Sequence, residues 1–129
     1  MSGSEENMTT IDALRHELLS AESILNTQYS FDLAEPCYVR CLQLIANAPE
    51  QREQIIKLFI SMCMSGEVSD EPVAFLMHAL RWPEIQDWAQ YQLQSMENPL
   101  RNGRRFEKIV AAFDEEWENK EFYKIFSKE

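Results

Sequence analysis

The chain has 129 residues, 45% of them apolar, and a formal net charge of −10. That length buries enough surface for one core, and seven Phe, three Trp and six Met can fill it without disulfide or metal staples. No run of about 18 apolar residues is available to span a bilayer, and no basic start followed by an apolar run directs secretion. The expectation is a cytoplasmic protein with no membrane partner.

Three cysteines without CxxC spacing do not describe a disulfide framework and fit a reducing compartment. Residues 1–100 carry five basic and fifteen acidic side chains, whereas residues 101–129 carry seven of each, so the first part holds all the excess negative charge. Such a surface repels phosphate backbones and draws in basic partners. Nucleic acid is therefore excluded as a partner, although Arg101, Arg104 and Arg105 form one local basic cluster.

Residues 1–8 (MSGSEENM) are polar and acidic and read as a disordered tail, leaving 9–129 as a single all-helical domain. A Thr N-cap at Thr9 or Thr10 opens the first helix, with Ile11, Leu14, Leu18, Leu19 and Leu25 on one stripe, running to about Asn26. Thr27–Leu33 (TQYSFDL) breaks the pattern and reads as a packed connection. Glu35-Pro36 starts a second helix, because Pro fits a first turn and Glu there complements the dipole. Its apolar face is Cys37, Cys41, Leu44 and Ile45.

Pro49 ends that helix and begins a third with Ile55, Ile56, Phe59, Met62 and Cys63, which Gly66 caps. Ser69 or Asp70 caps a fourth, with Pro72 in its first turn and Val73, Leu76, Met77 and Leu80 on its stripe. Pro83 opens a fifth with Ile85, Trp88, Leu93 and Met96, and Asn98-Pro99 closes it. Two helical hairpins are thus expected, over residues 35–66 and 70–97. After Arg101-Asn102-Gly103, Phe106, Ile109, Val110, Phe113 and Trp117 mark a sixth helix, and Phe122, Ile125 and Phe126 a short seventh or its continuation.

The expected fold is all-α: six or seven short antiparallel helices, stacked as α-α hairpins under a C-terminal capping helix. The hairpins repeat. Pro49 aligns with Pro83, Glu50 with Glu84, Phe59 with Leu93, Ser61 with Ser95 and Met62 with Met96 at an offset of 34, and Glu35-Pro36 with Glu71-Pro72 at an offset of 36. On these residues the segment Glu35–Met96 resembles the α-solenoid class and, within it, HEAT-like degenerate hairpin repeats. That resemblance implies a scaffold that binds other proteins and implies no chemistry. The Trp-Leu-Gly-Tyr pattern of tetratricopeptide repeats is absent.

Candidate chemistry is sparse. Cys37, Cys41, Cys63 and His78 lie on three predicted helices that could pack together, which makes a metal-binding protein or small helical enzyme the alternative of a different class. Against it, buried free cysteine is a common small core residue. Asp114, Glu115, Glu116 and Glu118, assigned to the sixth helix, are abundant carboxylates without an evident apolar pocket. Three glycines, Gly3, Gly66 and Gly103, cannot build a phosphate-cradling loop. No catalytic residue, cofactor or metal is assigned.

Arg81-Trp82-Pro83-Glu84 is the most unusual string, since Pro83 pushes Trp82 out of helical geometry. Trp82 either plugs the hairpin or anchors an interface, Trp and Arg being enriched at hot spots. The expected partner-binding residues are Glu67, Asp70, Glu71, Arg81, Trp82, Glu84 and Asp87, along one acidic edge of turns. These features point to a non-enzymatic protein-binding module for a basic protein partner. Its most specific form is an acidic immunity or antitoxin-like inhibitor of a cationic toxin domain such as a nuclease. The alternative within that class is an adaptor or chaperone-like helical-repeat protein.

Overall fold

The computed structural model describes residues 9–98 and 103–126. The expectations for residues 1–8, and for Pro99, Arg101 and Asn102, lie outside them.

Thr9 caps helix α1 (Thr10–Gln28), its hydroxyl accepting the Asp12 N–H at 3.0 Å. The helix runs two residues past its expected end and closes on Tyr29 in the left-handed region (φ 53°). Helix α2 spans Phe31–Ala46, so it starts four residues before Glu35. Ser30 explains the difference, because its hydroxyl accepts the Leu33 N–H at 3.2 Å and nucleates a turn within the stretch read as a connection. Pro36 is then interior and exposed, and its missing N–H leaves the Asp32 carbonyl without that helical bond.

A 3₁₀ turn (Pro49–Gln51) leads into α3 (Arg52–Ser65), which ends on Gly66 at φ 83°. The Glu67 N–H bonds back to the Met62 carbonyl at 3.0 Å and completes the cap. Helix α4 (Asp70–Leu80) is buried from Glu71 to Met77 and runs through the centre of the molecule. Helix α5 (Pro83–Ser95) buries Ile85 and Ala89, and α6 (Arg104–Ala111) buries Phe106 and Ile109.

Beyond Ala111 the chain departs from expectation. The sixth helix stops there, so Asp114, Glu115 and Glu116 occupy turns rather than helix. Asp114 Oδ1 accepts the Glu116 N–H at 2.8 Å, the local bond by which Asp diverts a backbone from helix, and a run of acids would also oppose the dipole at a helix C-terminus. Two 3₁₀ helices, Glu118–Phe122 and Lys124–Phe126, replace the seventh helix.

The described residues contain no strand, and the fold is all-α. Helices α1 and α2 pack closely together, as do α4 with α6 and α5 with α6. The consecutive pairs α2–α3 and α4–α5, which the prolines mark off as hairpins, are not among the closest-packed pairs. Among the described residues one core joins the six helices to Trp117 and Tyr123. Phe75 of α4 sits at its centre, with ring centroids 4.7 Å from Tyr38, 4.7 Å from Tyr123 and 4.8 Å from Phe126. No helix among the described residues is long and apolar enough to cross a membrane.

Candidate functional site

The acidic edge separates into residues with different duties. Glu67 pairs with Arg15 and also accepts from the Ser65 hydroxyl at 2.9 Å. Glu84 pairs with Arg52 at 2.6 Å, and that guanidinium holds its carboxyl below the usual range. Asp70 is half-buried at the start of α4, and Asp87 is exposed on α5. Arg81 is exposed, caps α4 in the left-handed region, and donates from Nε to the His78 carbonyl at 3.0 Å.

Trp82 and Glu71 do not lie on the surface. Trp82 is buried, stacks on Phe59 with centroids 6.2 Å apart, and carries the Arg52 guanidinium 4.9 Å above its ring, so it plugs the turn. Glu71 is 8% exposed and Glu35 of α2 is 7% exposed; these are the two buried charged residues among the described ones.

Both buried carboxylates grip the C-terminal segment. Glu35 Oε1 and Oε2 accept the backbone N–H groups of Lys124 and Ile125 at 3.0 and 2.8 Å, capping the last 3₁₀ turn. Glu71 Oε1 accepts from Asn119 Nδ2 at 2.9 Å, and its Oε2 accepts the Tyr123 hydroxyl. Burial raises the Glu71 carboxyl above the usual range, only partly offset by the Tyr123 and Asn119 bonds. Burial beside that carboxylate also pushes the Tyr123 phenol up, which keeps it a donor.

Glu71 also lines a recess of about 630 Å³ between α4, α6 and the turn that follows α6. Glu107, Asp114, Glu116 and Glu118 join it there, against Arg104 and Lys108 from α6. Ala74, Ala111 and Trp117 supply apolar wall. Five carboxylates against Arg104 and Lys108, with Lys120 Nζ a third cation 3.8 Å from Glu116, leave this recess net negative, and its concave walls concentrate the field. No known protein family matches the chain, and neither a curated protein nor a solved structure matches it.

Cys37, Cys41, Cys63 and His78 are not brought together: no three His, Cys, Asp or Glu side chains among the described residues are grouped to hold a metal ion. The three thiols are core residues instead. Burial pushes Cys41 up to about 12 and Cys63 up to about 11, so both stay protonated thiols at neutral pH rather than nucleophilic thiolates. His78 Nδ1 lies 2.7 Å from the Ala112 carbonyl, to which its N–H donates, and the ring packs between Trp117 and Phe126.

Asp114, Glu116 and Glu118 were visible in the sequence as carboxylates of a sixth helix but were not counted among the partner-binding residues, because residues 101–129 carry seven acids and seven bases and look neutral along the chain. Only the turn after Ala111 gathers Asp114, Glu116 and Glu118 on one side. Glu35 did carry a signal in the offset that relates it to Glu71.

Proposed function

We propose that this chain is a non-enzymatic binding module that presents an acidic helical surface to a basic protein. Its most specific form is an immunity or antitoxin-like inhibitor that neutralises a cationic toxin such as a nuclease. The observation that carries this reading is the groove between α4 and α6, where five carboxylates outnumber the lining cations Arg104 and Lys108 and the Lys120 paired with Glu116, in a protein of net charge −10. The exposed edge contributes to long-range attraction, but Arg15 and Arg52 already neutralise Glu67 and Glu84 locally. The docking surface is therefore centred on the groove. Glu67, Asp70, Glu84 and Asp87 form its outer field, and Trp82 serves the core.

A helical-repeat scaffold belongs to the same reading. It is supported by the two Glu-Pro pairs, whose glutamates are both buried and both hold the C-terminal segment.

The test starts from a basic protein captured from the native host at low salt. Its association rate is then measured with wild type, with E107K/D114K/E116K/E118K, and with E67K/D70K/E84K/D87K. The groove variant is expected to slow association by about tenfold or more and the edge variant by less, with both differences shrinking as salt rises. An association rate indifferent to salt and to groove reversal would overturn the proposal.

A further inference from the structure

Glu71 belongs to two structures at once. Glu71 is one of the residues lining the acidic groove, and its two carboxylate oxygens hold Asn119 and Tyr123 of the C-terminal segment. Trp117, Glu118 and Asn119 of that same segment form part of the groove wall. The segment consists of two short 3₁₀ helices, Glu118–Phe122 and Lys124–Phe126, joined through the Tyr123 N–H bond to the Lys120 carbonyl. Such turns have little stability of their own, so its position depends on the two glutamates and on the aromatic seat formed by Phe31, Tyr38 and Phe75.

We propose that Glu71 couples the groove to this C-terminal latch, so that a cationic side chain of a partner entering the groove tightens the latch, and an open latch weakens the groove. The coupling presupposes that the groove takes basic side chains. Its physical basis is charge. A carboxylate held away from water accepts its strongest hydrogen bonds when ionised, yet burial disfavours that form. Lys108, on the facing wall, already offsets part of this cost. A second cation offsets more, which strengthens the bonds from Tyr123 and Asn119. Linkage makes the effect mutual, because losing the latch removes the wall built by Trp117, Glu118 and Asn119.

The structure supplies its own reporters. The Lys124 and Ile125 amides bond to Glu35, outside the groove, and exchange with solvent when the segment lifts. Their hydrogen exchange is to be followed by NMR in wild type and in Glu71→Gln, free and saturated with a short peptide of alternating Arg and Gly. In wild type the peptide is expected to slow exchange at both amides by about fivefold. In Glu71→Gln, which cannot ionise, saturating peptide leaves the ratio of free to bound exchange near unity. Binding without slowed exchange in wild type, or equal slowing in both proteins, overturns the coupling and leaves the groove reading intact. Absence of peptide binding to wild type overturns both.

Discussion

Glu84 stands half in solvent, paired with Arg52 at 2.6 Å, whereas Glu71 is buried with both oxygens committed to the C-terminal segment. The two were expected to share one acidic edge. Their difference shows that a carboxylate's position along the chain does not fix what its charge does. At the turns the charge faces water and ordinary screening, and it shapes the field a partner meets. Under the C-terminal segment it organises hydrogen bonds in the interior, where an unsatisfied donor is costly.

The largest expected effect comes from the seat of the latch. Phe75→Ala removes the ring that meets Tyr38, Tyr123 and Phe126, and a fully buried Phe lost from such a cluster costs about 3–5 kcal/mol. Urea unfolding checks it, and loss of Trp117 fluorescence burial should accompany any opening of the segment. Glu71→Ala comes next. It strands the buried Tyr123 hydroxyl and is expected to cost about 1–3 kcal/mol.

Glu71→Gln sharpens the same point, because Gln keeps an oxygen for Tyr123 while removing the charge. The folded-state carboxyl lies above its ordinary value of 4.5, so the folded chain binds this proton more readily than the unfolded chain does. Glu71's contribution is therefore most favourable below the ordinary value and is lost as pH rises through the raised value. Of the groups facing this carboxyl, Asp70 raises it further while Tyr123, Asn119 and Lys108 lower it, and burial outweighs each of them. Wild type is expected to gain on Glu71→Gln as pH is lowered through that window. A stability difference that stays flat with pH would mean the carboxylate is better solvated than its burial indicates.

Much of the helical frame was legible, for reasons local to the sequence. Thr9 and Gly66 marked helix ends through cap chemistry, and Pro83 placed the start of α5. The misreadings came from competing local signals. Pro36 looked like a helix start because Pro favours the first turn, but Ser30 supplied a side-chain cap four residues earlier than Glu35 allowed. Phe113 and Trp117 continued a helical period that Asp114 broke through its own bond to Glu116. The groove was not legible, since it depends on a turn bringing Glu116 and Glu118 opposite Glu107 and Glu71. The latch was half legible: the matched Glu-Pro pairs were visible, but only tertiary contact shows that both glutamates reach the same segment.

The smallest expected effect falls on the exposed member of the comparison. Arg52 lowers the carboxyl of Glu84, which shows that the pair interacts, yet both side chains keep about half of their exposure, at 43% and 52%. Exposed pairs of this kind lose most of their attraction to solvent screening and to the entropy of holding two long side chains in place. Arg52 also has a second attachment, over the Trp82 ring, that does not need Glu84. Glu84→Ala should therefore leave the urea midpoint unchanged within error, whereas Arg52→Ala should lower it measurably by uncovering Trp82. If Glu84→Ala destabilised as much as Glu71→Ala, the ion pair would be holding Arg52 on the indole, and the turn of Trp82 and Pro83 would depend on its acidic edge after all.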